Sequence, residues 1–283
     1  MKPSINIWSF CGPWDLEEKF KLAVAAGFNA IEIELADAGP VGMTNSDEEL
    51  RQVRALADKH GLELSGLASG LYWGANGASA DRANREKAAA ILDRQIHCAE
   101  VLGIDAILIV PATVGADFIP DCEVVPYADA WERGTDLVRN ALPAAEKAGV
   151  TICIENVWNK FLLSPLEMKR FVEQFESPHV GVYFDVGNTL ATSYPEHWIP
   201  VLGQHIKRVH FKDYRRAVGS VDGFCDLLSG DVDWPAVVRA LRDIGYDSWI
   251  APEMIPPVPF YKHAPEILIH NSKRALDAIL ELD

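Results

Sequence analysis

Along the chain, short β-branched apolar runs alternate with longer stretches of helical period. "INIWSF" at 5–10 reads as a strand, and "LEEKFKLAVAAG" at 16–27 as an amphipathic helix ended by Gly27. Strands follow at 30–35, 62–69, 106–112, 151–157, 180–188, 206–214 and 249–254. The helical stretches between and after them fall at 47–60, 82–102, 127–148, 165–176, 195–203, 234–244 and 263–281. Gly61 and Gly103 stop two of those helices. That makes eight strand-then-helix units in order, with no low-complexity linker and no break in composition. The near-continuous apolar character of the strands fits sheets buried on both faces, and eight such units predict a closed parallel (β/α)8 barrel, one domain over 1–283. A doubly wound open sheet usually carries fewer strands, and "GPW" at 12–14 lacks the glycine spacing of a dinucleotide turn.

A length of 283 residues fits either two ordinary domains or one such barrel, and 49% hydrophobic residues supply a sizeable core. The net charge of −15 repels phosphodiester backbones and argues against a nucleic-acid partner. It does not exclude a small phosphorylated sugar, which one or two local cations can hold. The five cysteines, Cys11, Cys98, Cys122, Cys153 and Cys225, are scattered and never in CxxC spacing. They read as reduced thiols of a cytoplasmic protein. "MKPSINIWSF" lacks the apolar core of a signal peptide, and no run approaches membrane-spanning length.

Chemistry in such barrels gathers at the C-terminal ends of the strands. There the fifth to eighth strands place Glu155, Asp185, His210 and Glu253. Each has a plain reading by itself. His210 fits a satisfied core histidine, Asp185 a helix cap or loop anchor, and Glu253 a solvated residue at a loop start. Glu155 resists such a reading, because a lone carboxylate at the end of "TICIE" costs several kcal/mol unless its charge is compensated. It shares a strand face with small Thr151 and Cys153, as a packed barrel interior allows. Taken together, the four make an O,O,N,O donor set suited to Mn²⁺, Mg²⁺, Co²⁺ or Zn²⁺ with positions left open for substrate.

Other rim residues carry two readings. Trp8, Trp73 and Trp158 lie at or just past strand ends and fit either packing or a platform for a sugar. The small-residue stretch 73–81 fits a lid or a plain connection. Lys212, Arg215 and Arg216 form a cationic cluster that fits a phosphate or hydroxyl contact, or a solvated loop. Three prolines in "IPPVPFYKH" at 255–263 stiffen a segment suited to a pocket wall or a subunit contact.

The order "IEN…FDVGN…VHFKD…PEM" resembles the sugar isomerase/epimerase superfamily with a xylose-isomerase-like TIM barrel, and the resemblance spans essentially the whole chain. It implies one divalent metal, Mn²⁺ first, held by Glu155, Asp185, His210 and Glu253, with Glu155 and Glu253 also the catalytic acid/base pair. Where epimerases of this kind often carry a substrate-contacting histidine three residues after the Asp, this chain has Asn188. That looks closer to the ketose-phosphate epimerases. Arg216 matches an arginine that recurs six residues beyond the metal histidine, with Arg215 its immediate competitor. A further acidic residue common after the first glutamate is replaced here by Trp158 and Asn159. The implied activity is a ketose or ketose-phosphate 3-epimerase, or an aldose–ketose isomerase, working by proton transfer through a metal-stabilised cis-enediolate. The implied assembly is a homodimer or homotetramer. An inosose-type dehydratase would use the same metal site. A metal-dependent endonuclease would need more histidines and a basic groove, and a non-catalytic sugar-binding barrel would not need four convergent ligands.

Overall fold

The computed structural model describes residues 1–254 and 261–282. Most of the 255–263 segment, residues 255–260, therefore lies outside the described residues.

In chain order, the described strands are β1 (Lys2–Pro3), β2 (Ala30–Glu34), β3 (Glu63–Ala68), β4 (Ala106–Ile109), β5 (Thr151–Glu155), β6 (Val180–Asp185), β7 (Ile206–Phe211), β8 (Asp213–Tyr214), β9 (Phe224–Cys225) and β10 (Trp249–Pro252). The α-helices are α1 (Leu16–Ala26), α2 (Asp47–Lys59), α3 (Arg82–Leu102), α4 (Tyr127–Ala148), α5 (Pro165–Glu173), α6 (Val186–Thr189), α7 (Pro195–Leu202), α8 (Trp234–Asp243) and α9 (Glu266–Leu280). Eight strands form one sheet in the order β1-β10-β7-β6-β5-β4-β3-β2, and the pairs β1–β10, β10–β7, β3–β4, β4–β5 and β5–β6 are parallel. Beyond β1 the chain reaches β2 through a parallel bridge between Asn6 and Glu32, with the Glu32 N–H donating to the Ile5 carbonyl at 2.8 Å, so the sheet closes on itself.

The helix ends follow local chemistry. Asp15 and Glu18 form a reciprocal capping box at the start of α1, and Asp81, Ser164 and Asp233 cap α3, α5 and α8 with their side chains. Gly27 and Gly103 end α1 and α3 at φ 96° and 71°, a conformation that costs glycine nothing and an L-residue about 1 kcal/mol or more.

The described residues of Met1–Ile33, Arg54–Ser65 and Phe184–Asp283 pack as one compact unit, and Glu34–Val53 with Gly66–Tyr183 as another. The first unit buries Phe20 and Phe28, and stacks Phe211 against Trp234 at a centroid distance of 4.7 Å. It also carries polar groups in successive layers. The Ser4 and Ser65 hydroxyls meet at 2.5 Å, and the buried Arg208 donates from Nε to the Ser65 carbonyl at 2.7 Å. Two residues further along their chains come Asn6 and His210, on the same side because side chains alternate along a strand. The second unit is held by an aromatic cluster in which Phe171 meets Trp131 at 5.2 Å and Phe161 at 5.6 Å, both edge to face. Beside it, burial and the neighbouring Glu167 push the Tyr127 hydroxyl up to about 12.

Several boundaries differ from the sequence reading. The first strand begins earlier, at Lys2, and residues Ile7–Ser9 form a 3-10 turn because the Asn6 side chain accepts from the Trp8 N–H. The sixth strand stops at Asp185, whose side chain caps α6. The seventh stops at Phe211. Asp213 and Tyr214 pair instead, antiparallel, with Phe224 and Cys225. The fully buried Asp213 carboxylate fixes that excursion, accepting from Gly230 N, Val232 N and Trp234 Nε1 at 3.1–3.3 Å.

Candidate active site

Asp185 ends β6, and its two carboxylate oxygens face different groups. Oδ1 accepts the Asn188 N–H at 2.8 Å, which starts α6, and Oδ2 lies 3.1 Å from the Lys212 ammonium. The carboxylate therefore caps α6 with one oxygen and meets Lys212 with the other. Backbone approach allows the arrangement: a Cβ on Gly187 would come within 2.7 Å of the Lys212 carbonyl, so only glycine lets α6 pack against the end of β7.

His210, on β7, is fully buried. Its Nε2 lies 2.9 and 3.1 Å from the two oxygens of Glu32, itself fully buried on β2. A carboxylate only accepts, so Nε2 donates to Glu32, and Nδ1 faces the opposite way, 3.1 Å from Glu253 Oε2. Asn6 holds Glu32 in turn, donating from Nδ2 to Oε1 at 2.9 Å. This is the carboxylate–histidine arrangement that fixes the tautomer and aim of a metal-binding imidazole.

Glu253 follows β10, and its N–H donates to the Phe211 carbonyl at 3.1 Å. The buried Ser9 hydroxyl braces it on both sides, accepting from Met254 N at 3.1 Å and donating to the Pro252 carbonyl at 3.2 Å. Burial pushes the Glu253 carboxyl up, but the Lys212 ammonium and the His210 ring outweigh it by charge and hydrogen bond. They hold it well below the usual carboxylate range.

Asp185, His210 and Glu253 offer ligand atoms that all lie within 4.8 Å of one another. Metal–ligand bonds of about 2.0–2.2 Å put neighbouring ligand atoms roughly 3 Å apart and opposite ones roughly 4.3 Å apart. The 3.1 Å separation of His210 Nδ1 and Glu253 Oε2 matches the shorter spacing. Hard oxygen donors with one imidazole nitrogen are suited to a divalent ion, so this buried cluster can hold one.

The remaining residues of the sequence reading fall in different surroundings. Glu155 is buried at the end of β5, in register with Tyr183, two residues before Asp185. Asn188 is buried at the start of α6. Trp8, Trp73 and Trp158 are half-buried, and Trp73 meets Phe118 edge to face at 5.1 Å. The cationic cluster divides. Lys212 is buried, whereas Arg215 and Arg216 are exposed. Arg215 Nε donates to the Ser229 carbonyl at 3.0 Å, and the Arg216 guanidinium lies 4.4 Å over the Tyr194 ring. Glu32, Asn6 and Ser9 escaped the sequence reading.

Comparison with known proteins agrees with this architecture. A family model described as "Xylose isomerase-like TIM barrel" matches residues 20–271. The chain belongs to that family, a (β/α)8 barrel. It is 24% identical over 255 residues to the D-psicose 3-epimerase of Ruminiclostridium cellulolyticum, across 85% of this chain and 79% of that protein. A crystal structure of D-psicose 3-epimerase with D-tagatose from Clostridium cellulolyticum superposes with a TM-score of 0.80 at 20% identity, covering 99% of this chain and all of the other. The IOLI protein, solved with a zinc atom, superposes with a TM-score of 0.77 at 18% identity over 99% and 98%. At these identities the structural likenesses speak for the fold. Among the described residues, no helix is long and apolar enough to cross a membrane.

Proposed function

We propose that this protein is a divalent-metal-dependent sugar isomerase/epimerase, specifically a ketose or ketose-phosphate 3-epimerase. The observation that carries this reading is the buried Asp185–His210–Glu253 set, with His210 aimed by Glu32. Glu155 is proposed as the fourth ligand, since it is a buried carboxylate closing an apolar strand, as Asp185 is. The epimerase name of a relative matched over most of its length supports the choice of reaction.

When bound, a divalent cation supplies charge neutralisation for the oxygens of an enediolate. The chain supplies the proton chemistry. Glu155 and Glu253 sit on strands three places apart in the sheet order, which lets them address opposite faces of a bound ketose. One carboxylate removes the C3 proton and the other delivers a proton from the far side, inverting that centre. Asn188 and Lys212, together with Trp8, Trp73 and Trp158, are proposed to contact the sugar, Arg215 and Arg216 any phosphate it carries, and Mn²⁺ is the proposed ion.

Incubation of the Mn²⁺-loaded protein with D-fructose, D-tagatose and pentulose phosphates in D₂O, followed by NMR, tests this. The expected result is deuterium at C3 with appearance of the C3 epimer of at least one of them. Label at C1 or C2 with an aldose product would make it an aldose–ketose isomerase. Loss of water from an inositol-type ketone, without C3 inversion of any ketose, would replace the epimerase reading by a dehydratase.

A further inference from the structure

Lys212 places an ammonium among the groups that would hold the metal. Its Nζ lies 2.7 Å from Glu253 Oε2 and 3.1 Å from Asp185 Oδ2. It is 6% exposed, and its charge rests 4.9 Å over the Phe224 ring. A buried ammonium in contact with two buried carboxylates neutralises part of their charge just as a bound cation does. A divalent ion taking the same carboxylates meets that positive charge at a distance where repulsion is strong.

We propose that Lys212 is a built-in counter-cation of the ligand set: it holds Asp185 and Glu253 in place in the metal-free protein and competes with the divalent ion for them. Entry of the ion and withdrawal of the ammonium are then one exchange. The metal-free site stays folded, and metal affinity is lower than the bare ligand set would give. This inference rests on the metal site proposed above, and concerns which positive charge fills it.

The test is calorimetric titration of the metal-free protein with MnCl₂ alone, for wild type, Lys212→Met and Lys212→Arg, alongside melting curves without metal. Lys212→Met is expected to bind Mn²⁺ at least about tenfold more tightly than wild type. Without metal it is expected to melt below wild type, and Mn²⁺ is expected to raise its melting temperature by more. Lys212→Arg, which keeps the charge, is expected to bind no more tightly than wild type, and it provides the comparison if Lys212→Met folds only with metal. General damage to the site would weaken binding, so tighter binding separates competition from a structural role. Equal or weaker Mn²⁺ affinity in folded Lys212→Met, with wild type still binding, would overturn the inference and leave the metal site standing. Failure of all three proteins to bind any divalent ion would remove the metal site and this inference with it.

Discussion

Glu253→Gln is expected to lower turnover of any accepted ketose by about 10³-fold, within the 10²–10⁴ range that a positioned proton-transfer group supplies. The substitution keeps the size of the side chain but removes its charge. Two partners feel that loss at once, because Lys212 Nζ and His210 Nδ1 lie 2.7 and 3.1 Å from the same Oε2. A stability loss is therefore expected as well, on the order of 3 kcal/mol, as when one partner is removed from a buried ion pair. The backbone there is braced independently by Ser9, so the strand end stays in place. Steady-state kinetics beside a melting curve separates the two effects. A folded variant keeping a tenth or more of wild-type turnover would show that Glu253 carries no proton.

Glu32→Ala is expected to reach the site without touching substrate. It deletes the carboxylate that holds His210 Nε2 at 2.9 Å and Asn6 Nδ2 at 2.9 Å, in surroundings with no solvent exposure. Removing an outer partner of a metal-binding histidine typically costs 10–100-fold in metal affinity or activity. Removing one member of a buried pair costs about 3–5 kcal/mol. Together these give a Mn²⁺ affinity lower by about tenfold or more and a melting temperature lower by roughly 5–15 °C. Glu32→Gln, which still accepts from Nε2–H through its amide oxygen, is expected to recover most of the stability. Wild-type Mn²⁺ affinity in Glu32→Ala would show that His210 keeps its aim without the carboxylate.

The repeating strand and helix periods made the barrel legible, since α1, α3, α4, α5 and α8 each carry a capping side chain at the start or a glycine stop at the end. The carboxylates of the proposed ligand set drew notice for a related reason: an acidic residue closing an apolar strand is costly and conspicuous. The same argument applied to "AIEIEL" points to Glu32, a glutamate inside a buried strand, and that signal was present in the sequence. Its partners were not. Asn6 and His210 are far from Glu32 along the chain, and only ring closure between the start of the chain and β2 brings them to it. Ser9 gave no signal, because nothing local marks a serine whose hydroxyl braces a strand end from about 240 residues away in the chain. The run "IKRVHFKDY" at 206–214 reads as one strand, with Lys212 inside it and Arg215 and Arg216 directly after it. Asp213 turns its second half into a hairpin, which buries Lys212 and leaves the two arginines exposed. The burial of a lysine depends on that long-range pairing and has no periodic signature.

One divalent cation is proposed to gather side chains from four strand ends. Anomalous diffraction from crystals grown with MnCl₂ tests it most directly. One strong peak is expected within about 2.0–2.3 Å of His210 Nδ1 and of a carboxylate oxygen from each of Glu155, Asp185 and Glu253. A peak elsewhere, or a map in which Lys212 still bridges Asp185 and Glu253 in saturating manganese with no ion beside them, would contradict it.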